Sequence, residues 1–259
     1  MKNKRYFLFR LFLAAVFTFM FVNIFAHEIN EFNAKVRTLI SDGQFSRRQF
    51  TDDGLPLQFS PKVGPYRSPF YVVHYGLGYS EACKEKANNE NAYHWLTDKT
   101  SVFWPTSPFE PSLNLFKNSA DWVVENIEED TQGNSHLMYH FDWPYKNYPN
   151  GILMAPWWSG LTDGHAITLM LRAWDCFGEK KYLDAAESLY LSTVKPVSEG
   201  GSLLHHNGHP WIEEYVDPRA SEHEMSRVFN GMAYAYFGIK GYEEFHDIDG
   251  YSEALRTSI

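Results

Sequence analysis

Three segments with apolar residues at helical spacing constrain the fold of this chain most strongly. In residues 164–177 the apolar positions recur with the 3.6-residue period of an α-helix, and residues 181–194 and 222–238 repeat the pattern. No strand–helix–strand rhythm accompanies them, which disfavours a parallel α/β sheet. The pattern predicts a mainly α fold of packed helical hairpins. An incomplete (α/α) toroid, with short β segments in the N-terminal and loop regions and a cleft at one end, is one such arrangement.

Weaker patterns precede these helices. Pro69 begins a segment with apolar residues at helical spacing, and another helix is predicted from Asn118. Residues 97–116 contain three prolines, so no helix runs through them. Residues 137–145 predict a strand or extended segment, and residues 146–163 a long loop rich in Pro, Gly and Trp.

The N-terminus has the composition of a secretory signal. Basic residues precede an apolar run from Leu11 to Ala26, after which cleavage is expected. The alternative is an uncleaved anchor, because the roughly 21 residues from Tyr6 to Ala26 can just span a bilayer. We therefore predict export, membrane contact only through residues 6–26, an extension over residues 27–65 and a helical domain over residues 66–259.

Composition limits the partners and leaves two questions open. The net charge of −9 gives no counterion release on nucleic acid, which is therefore not an expected partner. Aromatic residues make up 17% of the chain. They either build a core of rings or line a cleft, where flat rings suit sugar faces. The two cysteines, Cys83 and Cys176, either pair or remain separate buried thiols.

Two loop segments combine aromatic and charged residues. In residues 156–166, Trp157, Trp158 and His165 are candidates for a cleft edge, and the alternative is a capping loop clamped by the tryptophans. In residues 208–215, Trp211 and the paired acids Glu213 and Glu214 precede Tyr215. A carboxylate beside a phenol can act as an acid–base pair. The alternative is a surface pair of glutamates with packing aromatics.

A third segment, residues 66–79, is rich in tyrosine and histidine. Tyr66 and Tyr71 are candidates for sugar contact, although an ordinary core helix explains the pattern as well. His205, His206 and His209 are close in sequence, but no zinc-ligand spacing is present, so we predict no metal.

Together these blocks resemble the D-glucuronyl C5-epimerase family. The block Pro156-Trp157-Trp158-Ser159, followed by Gly164 and Leu171-Arg172-Ala173, is similar to the family's helix-opening motif. The block Trp211-Ile212-Glu213-Glu214-Tyr215, followed by Asn230-Gly231-Met232, is similar to its second motif. Weaker similarity at Pro69–Leu77 and Ala120–Asn126 extends the resemblance over about residues 65–242.

The resemblance implies an (α/α)-barrel catalytic domain that inverts C5 of glucuronic acid in a heparan- or heparosan-like polysaccharide without a cofactor. It makes Glu214 and Tyr215 the catalytic residues. Tyr66 or Tyr71 would correspond to an upstream tyrosine. We predict that Tyr66, Tyr71, Trp157, Trp158, His165, Trp211 and Glu213 bind the substrate.

Two parts of the family's pattern have no match in this chain. The family's pattern continues with a tyrosine-bearing segment and a final helix, and neither has a match before Ile259. We therefore expect a truncated product, a fragment or an inactive relative. A toroid glycoside hydrolase, a polysaccharide lyase and a non-catalytic glycan-binding protein are the alternative functions, and a homodimer is left open.

Overall fold

The computed structural model describes residues 48–60, 62–83, 109–146, 148 and 151–258. Contacts divide the chain into two compact units, Met1–Arg48 with Phe59–Gly64, and Gln49–Gln58 with Pro65–Ile259. In the first unit, the Val63 amide donates to the Ser60 carbonyl across a turn (3.2 Å). The helices and the cavity described below belong to the second unit. The predicted leader, residues 1–26, lies outside the described residues.

Six α-helices are present in the described part of the chain. They are α1 (Pro69–Tyr79), α2 (Leu113–Asn126), α3 (Gly160–Phe177), α4 (Lys180–Thr193), α5 (Phe229–His246) and α6 (Ser252–Arg256). Short 3-10 turns lie at Ser80–Cys83, Val197–Glu199 and Glu222–Glu224. The prediction of a mainly α fold is confirmed. A closed ring of hairpins is not shown by the residues described.

The β structure is limited to short strands. A three-stranded sheet contains β1 (Arg48–Phe50), β2 (Pro56–Ser60) and β3 (Gly64–Tyr66), in that order. Three antiparallel pairs follow: β4 (Ile127–Glu129) with β5 (Ser135–Leu137), β6 (Trp143–Pro144) with β7 (Ile152–Leu153), and β8 (Leu203–His206) with β9 (His209–Ile212). These pairs lie in the segments that connect the helices, as predicted for short β segments in the loops.

Helix α3 contacts most of the other helices and has more buried residues than any other described helix. It begins after Ser159, whose hydroxyl accepts the Thr162 amide (3.3 Å), and ends at Gly178, whose φ of 68° terminates the helix in the left-handed region. Its contact with α5 is unusually close, because a Cβ on Gly164 would lie 2.5 Å from the Ala235 Cα. Only a glycine at this crossing lets the two backbones approach so closely.

Two helix boundaries differ from the sequence prediction. Helix α2 begins at Leu113 rather than near Asn118, because Ser112 caps it by accepting the Leu115 amide (3.3 Å). Helix α5 begins at Phe229, seven residues later than the periodicity predicts. Arg227 has a φ of 50°, which no helix accommodates, and its amide donates to the buried Glu213 carboxylate (2.9 Å). A tertiary contact therefore overrides local helix propensity there.

The cysteine question is resolved in favour of pairing. Cys83 and Cys176 form a disulfide with Cα atoms 6.0 Å apart, which joins the turn after α1 to the end of α3. Near it, the Arg172 guanidinium donates to the Ser80 hydroxyl (3.0 Å) and ties the same two elements. Among the helices that the structure describes, none is long and apolar enough to cross a membrane.

Candidate functional site

The candidate site is built where three extended segments lie side by side. The Tyr139 amide donates to the Trp157 carbonyl (2.7 Å), and the Val216 amide donates to the Trp158 carbonyl (2.9 Å). Next to them, the Gly160 amide donates to the Glu213 carbonyl (3.1 Å). The segment predicted as a long loop, residues 146–163, is therefore paired on both sides where it meets helix α3.

Successive side chains along these extended segments point alternately to two opposite faces. On one face Tyr139, Trp157 and Tyr215 pack in one cluster of buried aromatic rings. Their chain neighbours Met138, Trp158 and Val216 pack in a different cluster, with Leu204 and Met225. Successive side chains of an extended segment point to opposite sides, so a pair of adjacent tryptophans cannot both face one cleft.

The first face lines a cavity of about 180 Å³. Five of the predicted site residues line it: Tyr66, Tyr71, Trp157, Glu214 and Tyr215. Further rings come from Phe70, Tyr139, Phe141, Trp143 and Tyr234. The remaining lining residues are mostly polar: Ser68, Ser159, Leu161, Thr162 and Asn230. An aromatic cavity with a few convergent polar groups is typical of a small-ligand or sugar site.

Glu214 contributes the carboxyl group of the described cavity lining. Its side chain is only 7% exposed, and burial raises the pKa of the carboxyl group to about 7. The Tyr215 hydroxyl opposes that shift through a hydrogen bond, whereas the charge of Glu213 adds to it. A carboxyl group with a pKa near neutrality can both take and return a proton at physiological pH.

Two neighbours shape the Glu214 environment. Burial and the nearby Glu214 carboxylate raise the pKa of the Tyr215 phenol far above its usual value, so the phenol keeps its proton. Gly231, in the first turn of α5, lies against the carboxyl group. A Cβ there would come within 2.5 Å of Glu214 Oε2. Among the described atoms, Oε2 has no hydrogen-bond partner.

Tyr139 is a site residue that the sequence interpretation missed. Its ring stacks on Trp157 with centroids 3.9 Å apart. Its hydroxyl lies 2.8 Å from Thr162 Oγ1 and accepts the Phe70 amide (3.3 Å). The available signal was the alternation Tyr139, Phe141, Trp143, since every second residue of an extended segment faces the same side.

Four predicted residues do not line the cavity. Trp158 lies on the opposite face, stacked on His136 with centroids 4.5 Å apart. Trp211 lies on β9 opposite Leu204. Glu213 is fully buried and accepts the Ser226 hydroxyl (2.7 Å) and the Arg227 amide (2.9 Å).

His165 lies directly behind the cavity wall. It is fully buried, and its ring stacks on Phe70 with centroids 5.8 Å apart, while Tyr234 meets it edge-on at 5.0 Å. Burial, together with the charges of His74 and Arg172, lowers the pKa of His165 well below its usual value. The imidazole is therefore neutral and supports two rings that do line the cavity.

The chemistry of the lining residues limits what the site can do. Among the residues described, no three His, Cys, Asp or Glu side chains group as metal ligands. Within the described lining, Glu214 is the only carboxylate, and no Lys, Arg or His is present. The arrangement suits proton transfer by a carboxyl group and a phenol against the face of a hydroxyl-bearing ring.

Comparisons with known proteins show which family this chain resembles. Residues 132–258 match the family described as D-glucuronyl C5-epimerase C-terminus. The chain is also 30% identical over 168 residues to the D-glucuronyl C5-epimerase of Caenorhabditis elegans. That match covers 63% of this chain and 25% of the nematode protein, so the chain spans about a quarter of its length. The family match includes the paired segments and the Glu214–Tyr215 pair.

Proposed function

The chain belongs to the D-glucuronyl C5-epimerase family through residues 132–258, and on that premise we propose that it epimerises uronic-acid residues at C5. The reaction converts D-glucuronyl to L-iduronyl units in an acidic, heparan- or heparosan-like polysaccharide. One observation carries the proposal. A buried carboxyl group with a pKa of about 7, Glu214, interacts with a protonated phenol, Tyr215, in an aromatic cavity.

Inversion at C5 requires two proton transfers on opposite faces of the sugar. The C5 proton is alpha to a carboxylate, so its removal leaves a high-energy enediolate. Ionised Glu214 takes this proton. A phenol on the other face then returns a proton to C5, and the resulting phenolate is reprotonated from solvent while Glu214 releases its proton. Tyr215 hydrogen-bonds Glu214 and orients it on the first face, whereas Tyr66 and Tyr71 also line the cavity and are the candidates for the second face. Because the Glu214 and Tyr215 side chains interact, they titrate as a pair.

The pKa of Glu214 sets the expected pH dependence. The base must be ionised, so the fraction of active enzyme falls about tenfold for each pH unit below the pKa of about 7. Above that value the rate is level, because the Tyr215 phenol stays protonated. A profile that rises to a plateau near neutrality therefore supports Glu214 as the base.

The lining residues separate this proposal from the main alternative. A glycoside hydrolase uses two carboxyl groups roughly 5–10 Å apart across the scissile bond. Within the described lining Glu214 has no carboxylate partner, and Asp163 is buried against His136 instead (2.8 Å). Proton exchange without bond cleavage is therefore the better match to the site.

Incorporation of deuterium at C5 tests the proposal directly. The purified chain is incubated with heparosan in D₂O, and label at C5 is followed by NMR together with absorbance of unsaturated product. We expect label without unsaturated product, and no label with Glu214→Gln. The proposal fails if wild-type protein gives no label, or if Glu214→Gln and Tyr215→Phe label as fast as wild type. Unsaturated product would identify a lyase.

We also propose export and an (α/α) barrel. Export is supported by the basic and apolar pattern of residues 2–26 and by the Cys83–Cys176 disulfide, because disulfides persist in oxidising compartments. The barrel is supported by the packed helices α3, α4 and α5 and by the family. Fractionation of expressing cells tests the first point. Recovery of the chain with reduced thiols in the cytoplasm would contradict it.

A further inference from the structure

Two prolines end the backbone pairing between two of the segments that build the cavity. The Val216 amide donates to the Trp158 carbonyl (2.9 Å), and the Trp158 amide donates to the Val216 carbonyl (3.2 Å). In an antiparallel pairing the next residues to exchange such bonds lie two positions further along each segment, at Pro156 and Pro218. Proline has no N–H, so neither residue can donate. Backbone pairing between these two segments therefore ends at Trp158 and Val216.

The side chains of Asp217 and Arg219 join the two segments where the backbone pairing ends. Asp217 is only 5% exposed, and its carboxylate accepts the Met154 amide (3.2 Å) and the Arg219 Nε–H (2.6 Å). The Arg219 guanidinium donates to three successive carbonyls, those of Met154, Ala155 (2.9 Å) and Pro156 (3.2 Å). All three guanidinium nitrogens are thus bonded to the protein. We call Asp217 and Arg219 the ion-pair clamp.

The ion-pair clamp lies next to cavity residues on both segments. Trp157 follows Pro156, and Tyr215 comes two residues before Asp217. The rings of Trp157 and Tyr215 lie 5.9 Å apart and both line the cavity, whereas neither clamp residue belongs to its described lining. Tyr215 in turn hydrogen-bonds the Glu214 carboxyl group. The separation of the two segments therefore sets how closely Trp157 packs against the reactive pair.

We propose that the ion-pair clamp is a positioning device, which holds Trp157 against Tyr215 and keeps water from the Glu214 carboxyl group. The inference rests on the proposed function, because the side chains that the clamp positions are those proposed to act at C5. Neither clamp residue touches the sugar. An arginine fork that bonds a buried carboxylate and three carbonyls accepts only one geometry, so it fixes the distance between two segments better than a single bond does.

Direct contact with an acidic polysaccharide is the alternative role for Arg219, whose side chain is 41% exposed. The two roles predict different effects of charge. If Arg219 attracts the polymer, its removal weakens binding and removal of the Asp217 charge strengthens binding. If the two residues form a clamp, loss of either one releases the same contacts, so both changes act in the same direction.

Exchange kinetics of two variants with opposite changes in charge test the clamp. Deuterium uptake at C5 of heparosan is measured for the full chain, for Arg219→Ala and for Asp217→Asn over a range of heparosan concentrations. We expect both variants to lower kcat about tenfold and to change KM by less than about threefold, because the reactive groups are misplaced while binding contacts remain. A raised KM at unchanged kcat in Arg219→Ala, or opposite changes of KM in the two variants, would overturn the clamp.

The pKa of Glu214 gives a second readout, whose sign separates the clamp from a simple charge effect. Burial is the first cause of its raised pKa of about 7, ahead of the Tyr215 hydrogen bond and the Glu213 charge. Loss of a nearby cation raises the pKa of a carboxyl group, whereas entry of water lowers it. We expect Arg219→Ala to lower the pKa, followed by the ¹³C carboxyl resonance of Glu214, from about 7 to about 6. An unchanged or raised pKa in the folded variant overturns the proposal.

A matched control removes an arginine from another ion pair. Arg256 bonds Glu253 (2.6 Å) on α6 and does not belong to the described cavity lining, so Arg256→Ala is expected to keep the wild-type kcat and the pKa of Glu214. Equal effects of Arg256→Ala and Arg219→Ala would overturn the clamp. Melting curves identify variants that do not fold. Arg219→Gln, which keeps an amide donor, is the second probe and is expected to shift kcat and the pKa in the same direction as Arg219→Ala.

The clamp and the proposed function fail in different ways. Wild-type protein that gives no deuterium exchange removes the epimerase, and a lowered pKa of Glu214 in Arg219→Ala then still retains the clamp as the element that keeps the cavity closed to water. Exchange that is as fast in folded Arg219→Ala and Asp217→Asn as in wild type removes the clamp and retains the epimerase.

Discussion

The two faces of the segment at Trp157 and Trp158 offer a direct comparison. Trp157 joins Tyr139 and Tyr215 at the cavity, whereas Trp158 stacks on His136 in the interior. Each face carries a buried carboxyl group whose pKa burial raises: Glu214 at the cavity and Asp163 in the interior. The two acids share burial and differ in how many partners they have.

Both carboxyl oxygens of Asp163 have hydrogen-bond partners. One oxygen lies 2.8 Å from His136 Nδ1, and the other accepts the Leu137 amide at 3.0 Å. The second nitrogen of His136 lies 2.7 Å from the Gly200 carbonyl. In contrast, Glu214 Oε2 has no hydrogen-bond partner in the described part of the chain. A buried acid with complete partners stabilises the fold, and one with incomplete partners is available for chemistry.

The largest expected effect follows from removing the proposed proton acceptor at the cavity. Glu214→Gln keeps the shape of the side chain and cannot take the C5 proton. We expect the rate of deuterium exchange to fall by about 10³-fold, within the range for loss of a general base. The measurement is initial label uptake under saturating heparosan. A loss below about tenfold would mean that another group takes the proton.

The neighbouring acid is the matched control for this change. Glu213→Gln alters a carboxyl group that bonds Ser226 and the amides of Tyr215 and Arg227, away from the cavity. We expect this variant to lose stability to urea and to retain most of its exchange rate at low temperature. Normal stability with lost deuterium exchange would instead assign proton transfer to Glu213 and the stabilising role to Glu214.

The next effect concerns stability on the interior face. Asp163→Ala leaves the Leu137 amide and one nitrogen of His136 buried without a partner, so we expect a loss of about 4 kcal/mol in the free energy of unfolding. Asp163→Asn is the control, because its amide can retain the Leu137 bond and donate to His136 Nδ1. Urea unfolding measures both. Equal losses in the two variants would contradict a role that depends on complete hydrogen bonding.

The raised pKa of Glu214 predicts that the free energy of unfolding falls as the pH rises. Its carboxyl group titrates near 4.5 when unfolded and at about 7 when folded, so the folded state binds the extra proton. Stability from this group is present below about pH 4.5 and is lost as the pH rises through 7. Relative to Glu214→Gln, wild type is expected to lose about 3 kcal/mol between pH 4.5 and pH 8. A difference that does not change with pH would refute the raised pKa.

The sequence predicts the helices well and the site in part. Helices α3 and α4 follow from local apolar spacing, and Glu214 with Tyr215 stands out as a charged and aromatic pair beside loops. These signals are local, so the sequence contains them. The start of α5 was missed, because the Glu213 contact that holds Arg227 outside the helix joins residues distant in sequence.

The orientation of the site residues could not be predicted for a related reason. Trp157 and Trp158 were expected to serve one cleft, but backbone pairing with Tyr139 and Val216 fixes them on opposite faces. That pairing joins segments about 18 and 58 residues apart, which no local pattern encodes. Tyr139 escaped notice for the same reason, although its alternation with Phe141 was visible.

The smallest expected effect distinguishes two glycines of the same helix. In α5, a Cβ on Gly241 would meet only Leu171 Cδ1 at 3.7 Å, so Gly241→Ala is expected to add about 0.5–1 kcal/mol to stability through helix propensity.

A Cβ on Gly231 would lie 2.5 Å from both Glu214 Cβ and Oε2. Gly231→Ala is therefore expected to give no such gain and to slow deuterium exchange about tenfold, because displacing the carboxyl group costs about 1.4 kcal/mol of transition-state stabilisation. Thermal melts and label uptake measure the two effects separately. Equal gains in stability with unchanged exchange in both variants would show that Gly231 does not hold the Glu214 carboxyl group in place.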